Sequence, residues 1–102
     1  MRHINIDEFN ETINSGITLV DFFADWCGPC KMLSPVLESI EGEFPTVQFV
    51  KVNVDENMEI ADRYSIMSIP ALFIFKDGEL VNKAVGYMNK DQCENFIRKV
   101  LN

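Results

Sequence analysis

Cysteine, histidine and tryptophan are scarce in this 102-residue chain, at three, one and one. A zinc site wants four ligands, and the chain offers one close pair of cysteines, a distant Cys93 and the single His3. That supply argues against a resident metal, short of one shared between two chains. Glycine is sparse too, and none of the five residues sits in a phosphate-cradling loop. No run of about 18 apolar residues occurs, which excludes a membrane-spanning helix. Met1-Arg2-His3-Ile4-Asn5-Ile6-Asp7 carries neither an apolar targeting core nor a small-residue cleavage site, so the expected location is the cytoplasm. Positive charge is also short: 9 Lys and Arg against 16 Asp and Glu leave −7, which disfavours nucleic acid or an anionic membrane as partner and favours solubility.

What remains is the material of one globular domain, expected over 1–102, with 47% hydrophobic and 25% charged residues. A core of that size folds without staples, which leaves the cysteines free for other work. Apolar, β-rich runs lie at Ile17–Ala24, Val47–Val54, Ala71–Phe75 and Leu80–Val85, and Arg2–Asn5 adds a short edge strand. Helical patterns fall between them. Asp7 is the expected N-cap of a first helix burying Phe9 and Ile13, with Gly16 past its end. A second helix starts near Cys27 and carries Met32, Leu33, Val36, Leu37 and Ile40, with Pro35 removing one donor from its interior. A third covers roughly Asn57–Tyr64. The last opens at Asn89 with Gln92 as capping-box partner and is expected to bury Cys93, Phe96, Ile97, Val100 and Leu101. Lys76-Asp77-Gly78-Glu79 is an Asp-Gly hairpin turn. The order β-α-β-α-β-α-β-β-α predicts an α/β fold in which early crossovers give parallel neighbours and the late hairpin makes the sheet mixed.

The chemistry concentrates in Trp26-Cys27-Gly28-Pro29-Cys30-Lys31, where a central strand hands over to a helix. A cysteine at a helix N-terminus faces unpaired N–H groups and the positive end of the dipole, and both favour thiolate, the attacking species in disulfide exchange. Cys30 lies three residues on, within reach of the Cys27 sulfur. Pro29 tolerates the first helical turn and stiffens the ring that the two sulfurs can close; Gly28 leaves space beside the nucleophile. Two structural cysteines or half of a metal site remain alternatives on spacing alone. Asp21 interrupts the apolar run Leu19-Val20-Asp21-Phe22-Phe23, where a buried carboxylate is costly and its pKa should rise. A carboxyl group there could exchange a proton with Cys30. Lys51, inside Phe49-Val50-Lys51-Val52, is a candidate partner for it. Ser68-Ile69-Pro70-Ala71 enters a strand, and a proline there suits a tight turn in either isomer.

Taken together, Val20 through Lys31, Lys51-Val52-Asn53-Val54-Asp55, Ile69-Pro70, Phe75-Lys76-Asp77-Gly78 and Val85-Gly86 resemble the thioredoxin family over essentially the whole chain. The resemblance implies a thioredoxin fold, a central mixed sheet of four or five strands flanked by four helices. It implies that Cys27 attacks substrate disulfides, that Cys30 resolves the mixed disulfide, and that Asp21 is the buried proton acceptor near Lys51. Pro70 matches a cis-proline beside the cysteines, Ile69 offers a backbone edge to an extended peptide, and Trp26, Gly28, Pro29, Ile69 and Gly86 form an apolar docking patch. Thioredoxin reductase and disulfide-containing client proteins are the implied partners, with NADPH and FAD belonging to the reductase and no cofactor to this chain, which is expected to be a monomer. Gly-Pro between the cysteines resembles the reducing members. The alternative is a redox-independent subunit of the same fold that clamps a larger partner. Departures from the family pattern are Phe23 for a common tryptophan, Met67 for a basic residue, Ser68 for a glycine, and the additional Cys93, read as a small core residue.

Overall fold

A computed structural model describes residues 1–101. The elements follow the expected order: β1 (Arg2–His3), α1 (Ile6–Ile13), β2 (Ile17–Phe23), α2 (Gly28–Ile40), β3 (Val47–Asn53), α3 (Met58–Arg63), β4 (Ala71–Lys76), β5 (Glu79–Val85) and α4 (Lys90–Arg98), with a short 3-10 turn at Glu41–Glu43 after α2. They build a five-stranded sheet in the order β1-β3-β2-β4-β5. β1, β3 and β2 run parallel, whereas β4 is antiparallel to both β2 and β5. β2 is therefore central, and its side chains past Ile17 are all buried.

Side chains alternate across a strand, so β2 feeds two cores at once. Val20 and Phe22 join Phe9, Ile13, Ile60, Phe73 and Phe75 on one face of the sheet. Leu19 joins Leu33, Leu37, Ile40, Phe96 and Ile97 on the other, and Phe23 continues that second face into a smaller cluster with Ala24, Cys27 and Cys30.

Three local expectations change. Asn5, not Asp7, caps α1: its Oδ1 accepts from the N–H groups of Asp7 at 3.0 Å and Glu8 at 3.2 Å. Helix formation already begins at Ile6, which puts Asp7 in the first turn, where its charge still faces the positive end of the dipole. Met32 is exposed, because the buried stripe of α2 runs through Cys30, Leu33, Leu37 and Ile40 and Met32 lies one residue off it. At the C-terminus α4 stops at Arg98, so Val100 is only half-buried and Leu101 is exposed; Cys93, Phe96 and Ile97 are buried as expected. The capping box between Asn89 and Gln92 is present in both directions, each bond 2.9 Å.

The Asp77-Gly78 turn has φ of 49° and 89°, the left-handed pair that a tight hairpin demands. It also anchors the far end of α1. Asp77 Oδ1 accepts from Gly16 N–H at 2.8 Å, and the Gly78 N–H donates to the Ile13 carbonyl at 2.9 Å.

Candidate active site

β2 ends at Phe23, and the chain turns through Ala24-Asp25-Trp26 into α2 with Cys27 as its N-cap. The Cys27 backbone is extended (φ −89°, ψ 110°), which aims its Sγ back at the open end of the helix; that sulfur accepts from the Cys30 N–H at 3.2 Å. The nearest orphan donor of the helix thus already points at Cys27, the arrangement that stabilises negative charge on sulfur. Cys27 and Cys30 are joined as a disulfide with their Cα atoms 5.3 Å apart. Both are almost wholly buried, at 4% and 2% exposure, against Phe23, Ala24, Val54 and Ile69.

Around the pair the surface is apolar and open. Trp26 is 71% exposed, and its indole Nε1 donates to Asp55 Oδ2 at 2.9 Å, which fixes the ring beside the cysteines. Gly28 and Pro29 are exposed, and a Cβ added at Gly28 would meet nothing within 4 Å. The Ile69–Pro70 bond is cis. The Pro70 carbonyl accepts from the Gly86 N–H at 2.7 Å, and Gly86 itself takes φ of +99°. Pro70 is buried while Ile69 and Gly86 are half-buried; Ile69 packs on the cysteines and Gly86 is tied to Pro70.

Asp21 lies on the same face of β2 as Phe23, one strand step deeper. It is fully buried, and neither carboxyl oxygen has a hydrogen-bond partner. Burial pushes its pKa up to about 7, with the Lys51 charge pulling the other way. Lys51 is Asp21's register neighbour on β3, but no ion pair forms between them among the described residues. Instead the Lys51 ammonium donates to Ser34 Oγ at 2.8 Å and sits 4.4 Å from the centroid of the Phe23 ring. A cavity of about 170 Å³ opens beside these groups, lined by His3, Phe23, Cys30, Ser34 and Lys51 among others.

Sequence reasoning missed Ser34, Asp55 and the location of His3. Ser34 stands four residues after Cys30, which on a helix means the same face, so the spacing did contain that signal. His3 reaches the site only because β1 pairs with β3 and sets it beside Lys51; its ring meets Phe23 edge-on at 5.4 Å. Cys93, the remaining thiol, is fully buried in the α2/α4 core, and burial together with the Asp21 and Glu94 charges pushes its pKa up to about 11. Burial and that upward shift both disfavour the thiolate of Cys93. Among the described residues no cluster of metal-binding side chains occurs, and no helix is long and apolar enough to cross a membrane.

A cysteine pair joined as a disulfide, with one sulfur capping a helix N-terminus, is the site of a dithiol–disulfide oxidoreductase. Residues 1–99 match the family described as Thioredoxin, and the chain belongs to that family. It is 48% identical over 96 residues to a thioredoxin of Chlamydia pneumoniae, covering 94% of each chain, and 48% identical over 94 residues to one of Staphylococcus saprophyticus, covering 91% of this chain and 90% of that one. Among solved structures, a Plasmodium falciparum thioredoxin superposes with a TM-score of 0.92 at 32% identity, over 98% of this chain and 99% of that one. The oxidised mitochondrial thioredoxin 3 of Saccharomyces cerevisiae gives 0.89 at 35% identity, over 98% and 95%.

Proposed function

We propose that this protein reduces disulfides in client proteins, with Cys27 as nucleophile, Cys30 as resolving thiol and Asp21 as proton acceptor, the whole chain forming one domain of this type. The observation that carries the reading is the asymmetry between the two sulfurs: Cys27 is the helix N-cap and accepts a backbone N–H, while Cys30 lies one turn inside. In the dithiol state, the Cys27 thiolate attacks one sulfur of a client disulfide. A Cys27–client bond forms, the client S–S bond breaks, and the departing thiolate takes a proton. The Cys30 thiol then gives its proton to the Asp21 carboxylate and attacks the Cys27 sulfur; the Cys27–Cys30 bond closes as the Cys27–client bond breaks, and the second client sulfur leaves as thiolate and takes a proton from solvent. Two electrons have passed to the client, whose two sulfurs take their protons from solvent while Asp21 returns the Cys30 proton to it. A carboxyl group with pKa near 7 suits that transfer, because its affinity for the proton matches neutral pH.

Ile69 supports the docking role. It packs on the cysteines, and neither its amide nor its carbonyl has a backbone partner among the described residues, which leaves both to an extended client segment. Trp26, Gly28, Pro29 and Gly86 supply the surrounding surface, and Pro70, itself buried, holds the Gly86 N–H through its carbonyl. Lys51 acts as a nearby charge on Asp21, not as its ion-pair partner. The electrons come from a thioredoxin-reductase-type partner that holds FAD and draws on NADPH; this chain carries its reducing equivalents on sulfur alone. A reducing compartment such as the cytoplasm, and a monomer that presents its patch to many clients, complete the reading.

Trapping tests it. Cys30→Ser should accumulate a mixed disulfide between Cys27 and a protein disulfide substrate, and Cys27→Ser should accumulate none. A stable adduct on Cys30 in the second variant would reverse the assignment. Activity in cells that survives Cys27→Ser/Cys30→Ser would favour the redox-independent binding subunit instead.

A further inference from the structure

The sheet places three ionisable residues in one row, His3 on β1, Lys51 on β3 and Asp21 on β2, yet Lys51 and Asp21 do not pair. Opposite charges side by side under a buried surface should do so, because an unpartnered carboxylate is costly there and both Asp21 oxygens lack any hydrogen bond. The reason lies on α2. Ser34, half-buried and one turn after Cys30, accepts the Lys51 ammonium at 2.8 Å, and the Phe23 ring 4.4 Å away gives the cation a second attraction on that side. Alanine would serve the helix itself better than serine at this position, so Ser34 is not there for helix propensity.

We propose that Ser34 is a positioning residue for the redox reaction: its hydroxyl tethers Lys51 to α2 and so withholds the ammonium from Asp21, keeping that carboxyl free of an ion pair and able to take the Cys30 proton. The proposal rests on Asp21 being the proton acceptor. Were Lys51 released, its stem starts from the register position next to Asp21, and an ammonium within about 4–6 Å would hold the carboxyl ionised and lower its pKa by one unit or more. Such an acid would be a poorer base toward a thiol. The other ionisable groups around Asp21 and the cavity are Cys93 from α4, His3 from β1, and Asp25 and Lys31 from the β2–α2 turn and α2, with Cys30 joining them only in the dithiol state; β4 sets the uncharged Leu72 opposite it. Lys51 is the charge that pulls Asp21 downward.

The test reads the Asp21 carboxyl directly, by carbon-13 NMR titration of the disulfide form, alongside the pH profile of protein-disulfide reduction. In Ser34→Ala the Asp21 titration should move down by about one pH unit, a tenfold loss of proton affinity. Ser34→Thr, which keeps the hydroxyl, should restore it, and Lys51→Met in the Ser34→Ala background should abolish the downward shift. An Asp21 titration that stays in place or moves up in Ser34→Ala overturns the tether, as does a downward shift that persists without Lys51. A titration that moves as stated while the activity profile stays fixed supports the tether and instead removes Asp21 from the role of proton acceptor.

Discussion

The two faces of the sheet are made by the same strands but obey different rules. On the α1/α3 face the core is aromatic and without a buried carboxyl: Phe9 meets Phe75 edge-on at 5.8 Å, Phe22 meets Phe73 at 5.1 Å, and Tyr64 packs on Phe73 at 5.7 Å. On the α2/α4 face aliphatic packing gives way, toward the cysteines, to a buried carboxyl with no partner, a cation held by a hydroxyl and an aromatic ring, and a disulfide. Every odd-numbered residue of β2 from Leu19 to Phe23 serves the second face, and Val20 and Phe22 serve the first. One face is built to hold the fold, and the other gives up stability at a buried carboxyl without a hydrogen-bond partner.

The comparison breaks most visibly at the cysteines. Cys27→Ser or Cys30→Ser should reduce disulfide turnover to the uncatalysed rate while leaving the α1/α3 face and the fold intact, checked by a protein-disulfide reduction assay beside thermal denaturation. On the opposite face, Phe9→Ala should cost about 3–5 kcal/mol of stability, measured by urea denaturation, with the potential of the cysteine pair unchanged, because it empties a fully buried aromatic site remote from sulfur.

Asp21→Ala should do the reverse of Phe9→Ala. The folded-state pKa of Asp21, about 7, lies above the value of about 3.9 in an unfolded chain, so the native state binds the proton more tightly. The stability this group contributes is full below about pH 3.9, declines as pH rises from there toward 7, and is lost beyond. The difference corresponds to about 4 kcal/mol of cost at pH 8, from which a smaller cavity penalty is subtracted in the variant. Asp21→Ala is therefore expected to be more stable than the parent by a few kcal/mol at pH 8, to lose that advantage near pH 4, and to reduce disulfides at least tenfold more slowly. Urea midpoints across that range, with turnover measured on the same samples, check it. The smallest effect belongs to Cys93→Ala, at about 1 kcal/mol of lost packing with turnover unchanged, since the thiol is buried and its pKa is pushed up to about 11.

The sequence made the buried stripe of α1 and the β4–β5 turn legible, because apolar spacing and turn chemistry both act over a few residues: Phe9 and Ile13 on α1, and Asp77-Gly78 in the hairpin, were each readable locally. The cysteine pair was readable for the same reason, as its helix start and spacing lie within one short segment. Asp21 could be suspected from its place in an apolar run. What Lys51 does was not readable, because its partner is chosen by which atom of α2 crosses β3, and that is set by packing. His3 is the clearest case. A residue at the N-terminus reaches the active site solely through the parallel pairing of β1 with β3. The misplaced N-cap at Asp7 and the exposed Met32 are errors of one or two positions, which periodicity alone does not resolve.

The most direct measurement is the equilibrium of the Cys27–Cys30 pair with a glutathione buffer, read by thiol trapping after denaturation with Cys93 counted separately. A disulfide that persists in a glutathione buffer reducing enough to open the client disulfides, and yields only to a stronger dithiol, is the result predicted for a protein that reduces its clients. A pair that glutathione readily reduces would be an oxidant or an isomerase, and would contradict the direction of electron flow assigned to this site.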